Sequence, residues 1–257
     1  MKAPGDEGPD AGRRDFVILI GAVAAAELLG CSKGTSAPTA TSLPAASSSP
    51  VTSASPAAGA GSCVVRPALT EGPYFVDERL NRSDIRSDPS DGQVKAGVPL
   101  RLTFRVSRSS GGNCAALAGA FVDVWHCDAL GVYSDVADMG FNTRGSKFLR
   151  GYQATDAAGL AQFTTIYPGW YSGRAVHLHF KIRTSLTGSG FQFTSQVFFD
   201  ESVTDGVHAQ SPYNQKGRRN TLNQGDGIYQ GGGTQLLLAL APEGAGFGAT
   251  FDIALQF

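Results

Sequence analysis

Apolar and polar side chains alternate along much of the chain after residue 97. In 98–106 (VPLRLTFRV), Val98, Leu100, Leu102, Phe104 and Val106 are interleaved with Arg101, Thr103 and Arg105. A two-residue period is the mark of a strand with one buried face. Further strand-like runs occupy 118–126 (AGAFVDVWH), 160–166 (LAQFTTI), 174–183 (RAVHLHFKIR), 191–199 (FQFTSQVFF), 235–240 (QLLLAL) and 249–255 (ATFDIAL). Turns rich in Gly, Asp, Asn and Ser separate them, and no long segment follows the 3.6-residue period of a helix. The pattern predicts an all-β domain over 63–257, built as an antiparallel β-sandwich with long loops. The connection 200–232 is long and rich in Gly, Asn and Gln. A loop of that size in a compact domain is more often functional than idle.

The run 174–183 raises a specific question. His177 and His179 point to the same side of a strand, ~6.6 Å apart at the backbone. Two imidazoles at that spacing can bend onto one metal ion, since metal–nitrogen bonds are about 2 Å. The same alternation also describes an ordinary strand with a solvated polar face, and the period alone leaves both readings open.

The first 62 residues have a different character. Arg13 and Arg14 precede an apolar run over 16–29 that is too short to span a bilayer. Paired arginines before such a run resemble a twin-arginine export signal, and Leu28-Leu29-Gly30-Cys31 resembles a lipoprotein processing site that would lipidate Cys31. Residues 1–30 are therefore expected to direct export, with a membrane-anchored or a periplasmic or extracellular destination. Residues 31–62 are almost wholly Ser, Thr, Ala, Pro and Gly, a composition that predicts a disordered tether. The 21 basic and 22 acidic residues nearly cancel, and loss of 1–30 moves the formal net charge only from −1 to +1. Nucleic acid is excluded as a partner on that balance, and a membrane partner is reduced to a lipid anchor at Cys31. A homo-oligomer is compatible with the sequence.

Four cysteines fit an exported protein. With Cys31 lipidated, Cys63 at the domain start and Cys114 in a Gly/Asn turn are paired as a disulfide, contributing on the order of 4 kcal/mol in the chain-entropy model. Cys127 then remains as a buried free thiol rather than a nucleophile. His126 reads as a packed strand residue and His208 as a loop residue.

Three further blocks change the weight of the histidine pair: LTEGPYF (69–75), VDVWHCDALGVYSD (122–135) and TTIYPGWYSGRAVHLHF (164–180). Together, in this order, they resemble the intradiol ring-cleavage dioxygenases, the family of catechol 1,2-dioxygenase and protocatechuate 3,4-dioxygenase. The resemblance spans about 63–257. It implies a non-haem iron(III) cofactor, Fe(3+), held by Tyr133, Tyr171, His177 and His179, with Tyr171 and His179 axial and Tyr133 and His177 equatorial. It also implies that Arg174 and Gln196 act on the substrate and that Tyr171 serves as a base. Tyr74 becomes a candidate lining residue of the pocket. Lys181 and Arg183 read as solvated.

The implied donor set is chemically coherent. Iron(III) is a hard cation that favours anionic oxygen, and a nearby cation favours the phenolate form of tyrosine. The implied reaction joins a catechol-type aromatic and O₂ to give a muconate-type dicarboxylate. Catechol, protocatechuate, hydroxyquinol and larger lignin- or flavonoid-derived rings all remain open as substrates. Catechol dioxygenases carry a helical N-terminal dimerisation region where this chain has the expected tether, which points to an exported branch. Two rivals stand beside this reading: a non-enzymatic exported β-sandwich lipoprotein that binds a ligand, and a different oxygenase whose metal is held by the histidines only.

Overall fold

The computed structural model describes residues 63–257. The export signal, the tether and Cys31 lie outside the described residues.

Eleven strands and two short helices follow one another: β1 Pro99–Ser110, β2 Asn113–Ala116, β3 Phe121–Trp125, β4 Ala137–Asp138, β5 Phe141–Asn142, β6 Arg150–Ala154, β7 Leu160–Ile166, β8 His177–Arg183, β9 Gln192–Phe198, α1 Glu201–His208, α2 Gly227–Gln230, β10 Ala241–Glu243 and β11 Gly246–Leu255. One sheet has the order β10-β11-β1, and the long strand β1 pairs along its other edge first with β7 and then with β2. The second sheet has the order β6-β3-β8-β9, and β4 and β5 form a small separate hairpin.

The two main sheets pack face to face through the alternating apolar residues. Phe104 of β1 lies 5.1 Å from Phe180 of β8, ring centre to ring centre, and Phe180 lies 5.5 Å from Phe251 of β11. Leu102, Val122, Leu178, Ile182, Val197 and Ile253 are fully buried around them. Each such aromatic pair adds about 0.5–1.5 kcal/mol beyond its buried area. This is a β-rich two-sheet architecture, as the period predicts.

Three details differ from the sequence reading. β1 and β11 pair in parallel, Leu100 opposite Phe247 through Arg108 opposite Leu255, so the sandwich is not wholly antiparallel. Periodicity fixes which face of a strand is buried, not its direction relative to a distant partner. The run 235–240 is not a strand: a 3₁₀ turn covers Gly233–Leu236 and only Leu237 bridges to Phe198. Its apolar character serves burial of Leu236 and Leu238 instead. Finally, 200–232 is not an irregular loop. It holds α1, α2 and two 3₁₀ turns, and His208 closes α1 instead of lying in a loop. Asp200 caps α1 by accepting from the backbone N–H groups of Ser202 and Val203.

Every residue of β8 is buried, on both faces. The apolar face enters the sandwich core. The opposite face, with His177 and His179, is covered by other parts of the chain, and this positions the site.

Candidate active site

The site grows from one row of the second sheet. Trp125 on β3 lies opposite His179 on β8, which lies opposite Gln196 on β9. Directly opposed residues share a face, so the three side chains stand together. Trp125 stacks on the His179 ring at 5.0 Å with an interplanar angle of 10°. On the same ring, Gly72 approaches so closely that a Cβ there would meet His179 Cε1 at 3.2 Å, and its φ of +72° independently favours glycine. LTEGPYF thus covers the polar face of β8.

Two loops bring in the tyrosines. Tyr171 Oη lies 3.1 Å from His177 Nε2, and His177 Nε2 lies 3.0 Å from His179 Nε2. Tyr133 is 1% exposed and packs edge-on against Tyr171 at 5.7 Å and His179 at 6.2 Å. Its buried hydroxyl makes no hydrogen bond of good geometry, and the Tyr171 phenol is near enough for a weak, poorly aligned contact between the two hydroxyls. Tyr74 stacks on Tyr133 at 4.3 Å, and its hydroxyl donates to Asp138 on β4. Tyr74 and Asp138 also line an open cleft of about 540 Å³ together with Pro73, Asp135, Val136 and Arg144.

The protonation states follow from burial. His177 Nδ1–H donates to the Ala175 carbonyl at 2.7 Å, which leaves a lone pair on Nε2. Tyr171 and Arg174 both aim donors at that lone pair, and His179 Nε2 adjoins it. One lone pair cannot serve all of these groups. Burial, reinforced by the Arg174 charge, holds the His177 imidazole down at about 3, so it is neutral at pH 7. Burial and neighbouring His177 hold His179 well below its ordinary value. Burial pushes the Tyr171 phenol up to about 12, against the opposing pull of Arg174, and raises Tyr133 as well.

Arg174 adjoins the cluster. Its Nε donates to Asp226 Oδ2 at 2.9 Å, its Nη2 to Gln196 Oε1 at 2.5 Å, and its Nη1 lies 3.4 Å from His177 Nε2. Gln196 is fully buried, and its Nε2 donates to the Thr70 carbonyl at 2.8 Å. The structure therefore brings together Tyr74, Tyr133, Tyr171, Arg174, His177, His179 and Gln196. Cys63 and Cys114 lie elsewhere and are joined as a disulfide, while Cys127 is a buried free thiol beside Trp125 and Tyr133.

Two residues expected to be solvated are buried. Lys181 is 7% exposed, pairs with Glu71 and sits 3.8 Å from the Phe75 ring centre. Arg183 is 5% exposed and donates to Asp123 at 2.7 and 2.9 Å and to Asp77 at 3.0 Å. The segment 71–77 covers both, so the polar face of β8 is a second buried layer. Sequence reasoning also missed Asp226, Trp125, Gly72 and Asp138. The Asp-Gly step at 226–227 carries a helix-cap signal, and the Gly-Pro step at 72–73 a turn signal.

A dioxygenase family model matches residues 70–222. The chain belongs to the intradiol ring-cleavage dioxygenase family. Among solved members of the family, an intradiol ring-cleavage dioxygenase from Tetranychus urticae is 30% identical, with a TM-score of 0.66 over 76% of this chain and 95% of that one. The dioxygenase domain of a dioxygenase–carbohydrate-binding protein fusion from Streptomyces sp. SirexAA-E is 26% identical, with a TM-score of 0.51 over 75% and 99% of the two chains. Chlorocatechol 1,2-dioxygenase of Pseudomonas putida is 28% identical over 153 residues, 52% of this chain and 53% of that protein. The chain thus spans about half the length of that relative.

The residues present fit an iron(III) ion. Two neutral imidazoles and one phenol converge, a second phenol is buried without a partner, and the His177 tautomer is fixed by a backbone carbonyl, as is usual for metal-binding histidine. Among the described residues no group of three or more His, Cys, Asp or Glu side chains is placed to hold a metal, and the residues beside the two histidines that could add oxygen donors are Tyr133 and Tyr171.

Proposed function

We propose that the chain is an iron(III)-dependent intradiol dioxygenase that cleaves a catechol-type ring between its two hydroxylated carbons with O₂, giving a muconate-type dicarboxylate. The observation that carries the reading is the convergence of Tyr171 Oη, His177 Nε2 and His179 Nε2 beside the unpartnered hydroxyl of Tyr133. Tyr133, Tyr171, His177 and His179 would hold the ion. Bound there, iron(III) supplies a Lewis acid and the electronic route between the ring and O₂.

The remaining work falls to the protein. His177 and His179 stay neutral and present lone pairs because burial opposes their protonation. With the ion bound, Tyr171 would be held as its phenolate, and its Oη would then be placed to take a proton from a substrate hydroxyl. Arg174, fixed by Asp226 and Gln196, directs its remaining N–H groups toward negative charge developing on the ring oxygens. The covering segment 71–77 and the stacked Tyr74 exclude water from the inner face.

Catechol, chlorinated catechols and larger catecholic rings are the candidate substrates. The match to the dioxygenase family disfavours the rival reading as a non-enzymatic binding protein. The Cys63–Cys114 disulfide supports an exported protein in an oxidising compartment. On the sequence pattern, residues 1–30 direct that export and Cys31 carries the lipid anchor.

The test is direct. Iron-loaded protein should show a visible tyrosinate-to-iron band and take up O₂ with a panel of catechols to yield muconate-type products. Colourless protein after loading, or cleavage beside the hydroxylated carbons, would refute the reading.

A further inference from the structure

Asp226 lies four residues beyond the segment matched by the family model, in the connection that follows α1. It is 1% exposed, yet all of its acceptor capacity is used. Oδ1 accepts from the backbone N–H groups of Ile228 at 2.7 Å and Tyr229 at 3.3 Å, which caps α2. Oδ2 accepts from Arg174 Nε at 2.9 Å and from the Ala175 N–H at 2.9 Å. The second oxygen therefore reaches both parts of the site. Through Nε it sets the guanidinium that also contacts Gln196. Through the Ala175 N–H it anchors the residue whose carbonyl receives His177 Nδ1–H.

We infer that Asp226 is a positioning residue of the dioxygenase site, coupling the 200–232 connection to the aim of Arg174 and the orientation of His177. The inference rests on the proposed function. A buried guanidinium with one of its three anchors removed gains torsional freedom, and an ion pair of this burial is not replaced by solvent: the two side chains are 15% and 1% exposed. The effect should be felt in the turnover step, where Arg174 meets developing charge, more than in substrate affinity.

Asp226→Asn and Asp226→Ser separate this role from capping, because Asn and Ser are both good helix caps. Neither keeps the charge, and the Asn amide must face one pair of backbone or guanidinium donors with its own donors. Serine is too short to reach Arg174 while it caps α2. The assays are iron(III) affinity by chelator competition, the visible band, and kcat and KM per bound iron for a cleaved catechol, on the full chain. Both variants should fold with near-wild-type far-ultraviolet circular dichroism. Iron affinity or kcat should fall on the order of ten- to a hundred-fold, with KM changed by less than about three-fold. Arg174→Ala combined with Asp226→Asn should lose clearly less kcat than the product of the two single losses, since part of the Asp226 effect acts through Arg174.

Wild-type iron affinity, visible band and kcat in whichever variant folds would overturn the inference while leaving the proposed function intact. Full additivity in the double variant would also overturn it. A colourless and inactive iron-loaded wild type would overturn the proposed function and the inference together.

Discussion

Tyr133→Phe removes one oxygen from the centre of the site, and its effect on the metal-free protein has a definite sign. The Tyr133 hydroxyl is buried and unpartnered. Burying an unsatisfied hydroxyl costs about 1–3 kcal/mol, so its removal should stabilise the metal-free fold by about 1–2 kcal/mol. For a domain of this size that raises Tm by about 2–4 °C per kcal/mol. Tyr171→Phe should do the opposite, because Tyr171 Oη is hydrogen-bonded to His177 Nε2 at 3.1 Å. Losing that bond costs about 1 kcal/mol. The assay is urea and thermal unfolding of metal-free protein, with iron(III) added in parallel samples. Wild type should gain stability from the ion, about 2.7 kcal/mol at a hundred-fold excess over Kd, and both variants should gain less and show an altered visible band. If Tyr133→Phe lowers Tm without metal, its hydroxyl is satisfied in the fold and the argument from an orphaned donor is wrong. If neither variant changes the visible band of loaded protein, the tyrosines are not the ligands.

Gly72→Ala should weaken iron binding and lower stability by about 1–2 kcal/mol, because the added Cβ would meet His179 Cε1 at 3.2 Å on a backbone with φ +72°; unchanged chelator competition would refute it. Metal-free protein should lose stability as pH falls below about 6.5. His126, buried against Thr165 and the Cys127 carbonyl, is held down at about 4 chiefly by burial, so the unfolded chain takes up a proton that the fold does not. That residue alone accounts for about 3 kcal/mol across pH 6.5 to 4, full stability lying above this window, and a pH-independent urea midpoint would contradict it. Arg183→Met should cost about 3–5 kcal/mol by leaving Asp123 buried without its cation, while Arg183→Met with Asp123→Leu should cost much less; equal losses in urea melts would refute the buried pair.

The two-residue period made the strands legible, and with them the shared direction of His177 and His179. It also placed Trp125 and Gln196 on strands, though their alignment with His179 depends on a register between segments up to 54 residues apart. Tyr133 and Tyr171 sit in loops where no period applies, so only the motif blocks signalled them. Lys181 and Arg183 were misread because alternation distinguishes two faces without saying what lies over the second. In this fold a strandless segment, 71–77, lies over it, and Glu71 and Asp77 neutralise the buried cations. The 235–240 run failed for a related reason: apolar residues are needed wherever the core is sealed, whether or not the backbone extends.

Asp226 marks the physical limit of such reading. As a sequence feature it is an Asp before Gly, a helix-cap signal of the commonest kind, and one of its carboxylate oxygens does cap α2. The other oxygen faces Arg174, 52 residues earlier, across a connection that has no strand to propagate a register. A carboxylate has room for four donors, and local sequence accounts for two of them. Burial at 1% exposure requires that the other two exist, since an uncompensated charge there would be far costlier than the cap is worth. Only the tertiary fold says which they are, and in this chain they belong to Arg174 and Ala175, just ahead of the histidine strand.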